Sequence, residues 1–91
     1  MDAAKTLAEM TVSERRELID FVAVALEGAA EEAQEQGDTL SATNSHNLAT
    51  AIRGHADELA TYDLKSAELL LQQGMTLVAA TLSHIPKSRL H

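Results

Sequence analysis

The sequence predicts an all-α protein, a small antiparallel three-helix bundle, and three observations carry that expectation. Of 41 apolar residues among the 91, Ala supplies 16 and Leu 13, while Val and Ile together give only seven. Ala and Leu are strong helix formers, whereas β-branched residues favour strands. No alternation of apolar and polar residues lasts long enough to mark a strand. The one proline, Pro86, lies near the C-terminus and leaves everything before it free to be helical. A chain of this length has room for a single domain, so residues 1–91 are read as one helical unit. The alternative architecture is a helical hairpin completed by dimerisation.

Ahead of the first long helix, Ala3, Leu7 and Met10 stand at 4-3 spacing, so residues 1–10 are expected as a short extension or helix across one end of the bundle. The first helix is placed near residues 12 to 36. Thr11, Val12, Ser13 and Glu14 have the order of a capping box, in which the threonine hydroxyl accepts from the Glu14 amide and the Glu14 carboxylate accepts from the Thr11 amide. Gly37 is the natural stop, because glycine takes the left-handed conformation that closes a helix. Between these signals Leu18, Val22, Ala25, Ala29 and Ala33 follow 4-3-4-4 spacing, and Ile19, Leu26 and Ala30 widen the stripe. Some 25 residues at about 1.5 Å each make a helix of about 37 Å.

Residues 38–47, DTLSATNSHN, hold four candidate N-caps in Asp38, Ser41, Thr43 and Ser45, and the second helix is placed near 41 to 61. Leu48, Ile52, His55, Leu59 and Tyr62 step by 4-3-4-3, a seam that puts His55 on an apolar face. Tyr62 and Asp63 interrupt the Ala/Leu/Glu vocabulary, and Asp63 is a good N-cap for a third helix near 64 to 85. Without a turn there, residues 46–85 would form one helix of about 60 Å. The third stripe runs Leu64, Ala67, Leu71, Gly74 or Met75, Val78, Leu82 and Ile85, with Met75 as ordinary core filling. Pro86 ends it, and residues 86–91 are expected as a loose tail.

Charge is the clearest asymmetry. The formal net charge is −7, and residues 1–38 hold ten acids against three bases while residues 39–91 hold four of each. Glu27, Glu31, Glu32, Glu35 and Asp38 form a run without a base at the C-terminal end of the first helix. The helix dipole and the i,i+4 repulsions both disfavour negative charge there. The run is either a solvated face or a docking surface for a basic partner, and these five acids are the expected partner-binding residues. A narrow face of Ala25, Gly28, Ala29 and Ala33 serves close helix packing or, alternatively, a homodimer seam, since glycine inside a helix costs about 1 kcal/mol relative to alanine.

Several chemistries find no support in the residues. Cysteine is absent, which removes disulfides, thiolate metal sites and a thiol nucleophile together and fits a reducing compartment. No serine sits in a nucleophile elbow, and four scattered glycines make no phosphate-binding loop. No enzyme activity, cofactor or metal is therefore expected. A surplus of acids and only two aromatics, Phe21 and Tyr62, argue against direct nucleic-acid binding. Such binding would require Arg15, Arg16, Arg53, Lys65, Lys87 and Arg89 to gather on one surface. An acidic decoy of nucleic acid and a metal- or ligand-binding bundle centred on His55 and Glu58 stand as alternatives, though dinuclear bundles need two Glu-x-x-His motifs and this is one reversed half.

The N-terminus has no continuous apolar core to read as a secretory signal, and the longest notable apolar run, Phe21 to Leu26, is six residues where a bilayer needs about 20. A cytoplasmic protein without a membrane partner is expected. Its function is read as a non-enzymatic protein–protein interaction module: a small acidic regulator, inhibitor or chaperone-like partner that occludes a surface of another protein. Class-level analogy points to a bacterial or phage-encoded protein, and a thin Ala-rich core favours self-association as a homodimer or a protein partner.

Overall fold

The computed structural model describes residues 6–83 and, among them, contains helices and no strand. A single 3-10 turn, Leu7–Glu9, precedes α1 (Val12–Glu35), α2 (Thr39–Gly54), α3 (Ala56–Thr61) and α4 (Leu64–Ser83). The expectations for Ala3, for the side chain of Leu82, for Ile85 and Pro86 and for the tail lie outside what is described. The chain is all-α, with four α-helices among the described residues where three are expected from the sequence.

The start and stop of α1 follow from its termini. Glu14 N–H donates to Thr11 Oγ1 at 3.1 Å and Thr11 N–H to Glu14 Oε1 at 2.9 Å, which satisfies two amides left unpaired by the helix start. At the other end Gly37 has φ +81°, Asp38 N–H reaches Ala33 O and Gly37 N–H reaches Gln34 O. These paired bonds reverse the chain over a left-handed residue. Asp38 then caps α2, its Oδ1 accepting from Ser41 N–H at 3.1 Å. Of the four candidate caps the first is used, so α2 begins at Thr39 rather than near residue 41.

The second expected helix breaks at His55, whose φ of −119° and ψ of 19° leave the helical region. Gly54, the residue before it, has the lowest helix propensity in that stretch. The break turns the 4-3-4-3 seam: Leu59 and Ala60 are buried, while His55 and Tyr62 stand exposed. The expectation that His55 lies on an apolar face is thereby corrected. The turn at Tyr62–Asp63 is present, with Ser66 N–H donating to Asp63 Oδ1 at 3.3 Å. Residues 46–85 accordingly do not form one helix.

The core gathers Leu7, Ile19, Val22, Leu26, Ile52, Leu59 and Leu71 with small residues such as Ala23, Ala49, Ala60 and Ala67. The buried face of α1 is Ile19, Val22, Ala23, Leu26, Ala29 and Ala33, while Leu18 and Ala25 of the expected stripe are only half-buried. In α4, Ala67, Leu71, Gly74 and Thr81 are buried, and Met75 is 48% exposed, so its expected role as core filler is corrected. Gly74 holds the close approach instead: a Cβ there would meet Val22 Cγ1 at 2.8 Å and Leu26 Cδ1 at 3.2 Å.

Arg15 ties the N-terminal turn and α3 to α1. Its guanidinium donates to Leu7 O at 2.7 Å and to Ala60 O at 2.9 Å, using a planar donor fork to satisfy carbonyls at two element ends. Among the described residues no helix is long and apolar enough to cross a membrane.

Candidate functional site

The five carboxylates expected to form one acidic end are divided by the fold into three roles. Glu27, Glu31 and Glu35 recur at i, i+4 and i+8, so they share one edge of α1. They line one wall of an open groove of about 720 Å³, with Ala42, Thr43 and His46 of α2 on the opposite wall. Glu32 lies on another edge, half-buried, where its Oε1 accepts from Gln36 Nε2 at 3.4 Å. Asp38 is the α2 cap already described. The structure thus brings three of the five together and separates two.

Glu27 is engaged within the fold. His46 Nδ1 lies 2.9 Å from its Oε1 and Arg53 Nη1 donates to its Oε2 at 3.0 Å, which joins α1 to α2 through one carboxylate. The His46 hydrogen bond, with the attraction of His46 and Arg53 outweighing partial burial, holds the Glu27 carboxyl below the usual range. Arg53, one of the six bases that nucleic-acid binding would require on one surface, is engaged here. Arg16 pairs with Asp57, and Arg15 holds carbonyls, so all three arginines are engaged within the fold.

Glu31 and Glu35 are exposed and continue onto the outer face of α1. That face also carries Glu17 and Asp20, both exposed, and the exposed apolar residues Phe21 and Val24, each at 63%. Phe21, Val24 and Gly28 stand at 3-4 spacing and form one strip. Nothing lies within 4 Å of where a Gly28 Cβ would be, so the backbone there is open to approach. The result is an apolar strip bordered by carboxylates on a surface that the other described residues do not cover. Phe21, Val24, Glu17 and Asp20 were not among the expected site residues. A signal for them existed, because six consecutive apolar residues from Phe21 to Leu26 cannot all face one side of a helix.

The small-residue face of Ala25, Gly28, Ala29 and Ala33 is also divided. Ala29 and Ala33 are buried inside the fold, Ala25 is half-buried, and Gly28 is exposed on the outer strip. His55 and Glu58 face each other across 3.6 Å, both exposed. Among the described residues no group of three or more His, Cys, Asp or Glu side chains is placed to hold a metal ion.

The grooves are open, and Glu17, Asp20 and Glu31 are exposed beside the exposed apolar side chains Phe21 and Val24. Comparison with protein-family models, with curated proteins and with solved structures yields no match to this chain.

Proposed function

We propose that the chain is a non-enzymatic protein–protein interaction module, a small acidic regulator, inhibitor or chaperone-like partner that acts in the cytosol by occluding a surface of another protein. The observation that carries the reading is the outer face of α1, where Phe21 and Val24 stand 63% exposed beside Gly28 and within a border of Glu17, Asp20, Glu31 and Glu35. The apolar strip supplies residence time and the carboxylates steer a basic partner, a division of labour usual for charged interfaces. The architecture that presents this face is read as a three-legged antiparallel bundle, with α3 continuing the second leg past the break at His55.

The partner surface this face fits is an apolar patch ringed by Lys and Arg. Affinity capture with the full chain from host lysate, at about 50 and 300 mM salt, with mass spectrometry of the bound proteins, identifies it. Phe21→Ala with Val24→Ala should weaken the captured complex by tenfold or more, as truncation of central apolar anchors does. Reversal of Glu17, Asp20 and Glu31 to Lys should weaken it and flatten its salt dependence while helicity is retained. A partner held equally by both variants removes the outer face of α1 from the mechanism.

A further inference from the structure

We infer that the cleft between α2 and α4 is a self-association face, closed by the same cleft of a second copy of this chain. The cleft is open and about 570 Å³ in volume, with Leu48 and Leu77 half-buried in its lining and Leu69 59% exposed on its wall. Its edges carry four side-chain amides, those of Asn44, Asn47, Gln72 and Gln73, all exposed. None of these amides makes a hydrogen bond within the chain among the described residues. The pattern continues outward along α2, where Leu40, Asn44, Asn47 and Ala51 follow 4-3-4 spacing and are exposed.

Charge selects the occupant. The chain carries a formal −7, and the excess lies in residues 1–38. Two copies meeting through the outer face of α1 would bring Glu17, Asp20, Glu31 and Glu35 of one against those of the other. Among the described residues the α2–α4 cleft is lined by no ionisable side chain, and the nearest on α4 before Leu69 are Lys65 and Glu68, of opposite sign. Two highly acidic molecules can therefore approach there without opposing carboxylates. A basic partner, in contrast, finds no counter-charge in it.

Symmetry points the same way. A two-fold interface places the same patch on both sides, so its polar groups must complement themselves. A carboxamide both donates and accepts and meets that condition, whereas a carboxylate accepts only. Four amides that make no hydrogen bond among the described residues, set around a leucine-lined cleft, are the polar border such an interface needs.

The face is modest in size. Helices of 16 and 20 residues are about 24 and 30 Å long, and two side by side are about 20 Å across, giving about 500 Å² per copy. Stable interfaces bury about 800 Å² per partner, so a face of this size belongs to the weak, reversible class. Dimerisation through α2 and α4 leaves the outer face of α1 free on both copies. The inference stands independently of the partner-binding reading and, with it, makes the module bivalent.

Sedimentation equilibrium of the full chain from about 1 to 300 μM, the range in which weak, reversible dimers dissociate, tests it. The wild type should fit a monomer–dimer equilibrium. Leu69→Glu should raise the dissociation constant at least tenfold by placing carboxylates across the two-fold axis, with circular dichroism confirming helicity. Gln73→Glu, at an exposed position, is the second variant and should act in the same direction. Phe21→Ala with Val24→Ala should leave the constant unchanged. Because the chain has no cysteine, Gln73→Cys should cross-link on mild oxidation and Glu17→Cys should not. A monomer throughout the range, or a dimer weakened by the Phe21 and Val24 substitutions and not by Leu69→Glu or Gln73→Glu, overturns the inference.

Discussion

Glycine shows how differently one residue type is used along this chain. Gly28 lies inside α1 with open space where a Cβ would go, whereas Gly74 lies inside α4 with Val22 Cγ1 2.8 Å from the Cβ position. Both cost helix stability through backbone entropy. Only Gly74 returns something, the close approach of α4 to α1. Gly28→Ala should therefore raise stability by about 0.5–1 kcal/mol. Gly74→Ala should lower it by about 1 kcal/mol, because Val22 is β-branched, fully packed and stiff at χ1, so relief of the overlap costs more than the propensity gained. Urea denaturation of the two variants distinguishes them by sign. Two stabilised proteins would mean that the α1–α4 contact relaxes at no cost.

At the scale of the elements, the α1–α2 pair is held by Glu27 as well as by buried small residues. Its carboxyl is depressed by the His46 hydrogen bond, so the folded state favours the ionised form. Such a group contributes stability that is fully present above the pKa of the unfolded chain, about 4.3, and is lost as pH falls through the lower folded value. The melting temperature of the wild type should therefore decline on acidification from about pH 5 to 3, and Glu27→Gln should decline less steeply. At pH 7 the same substitution should cost about 0.5–1 kcal/mol, the range of partly exposed ion pairs. Equal slopes for the two proteins would place the acid sensitivity elsewhere, as at Glu9, whose carboxyl is lowered by its bond from Thr6 N–H.

At the scale of the whole fold, the described residues measure 40 × 34 × 16 Å. Its shortest dimension is that of two helix layers, since packed axes lie about 8–10 Å apart and the backbone cylinder has a radius of about 2.3 Å. With two layers and a core in which Ala fills several positions, helices have one covered side and one side free. The outer face of α1 and the α2–α4 cleft are the two free sides that differ most in charge. If the cleft is covered by a second copy, stability becomes concentration-dependent. Raising the chain from well below to tenfold above the dissociation constant should add about 1.4 kcal/mol and raise the melting temperature by about 5–10 °C. A melting temperature independent of concentration over that range counts against self-association at any face.

Local chemistry was readable directly from the residues. The helix vocabulary, the capping box at Thr11 and Glu14, the stop at Gly37 and the turn at Asp63 each depend on groups within a few positions of one another, so order along the chain carries their whole cause. The break at His55 was not readable in this way, because Gly54 inside a helix is tolerated in many settings and only packing of Leu59 and Ala60 against the core makes a bend worth its cost. The fate of the acidic run was hidden for the same reason. Glu27, Glu31 and Glu35 share an edge by helical periodicity alone, but Glu27 is engaged only because α2 brings His46 and Arg53 beside it. Residues Phe21 to Leu26 were all apolar in the sequence, and the fold decided which of them to bury. A helix can turn only part of its circumference to the core, and the direction of that turn is set by neighbours distant in sequence.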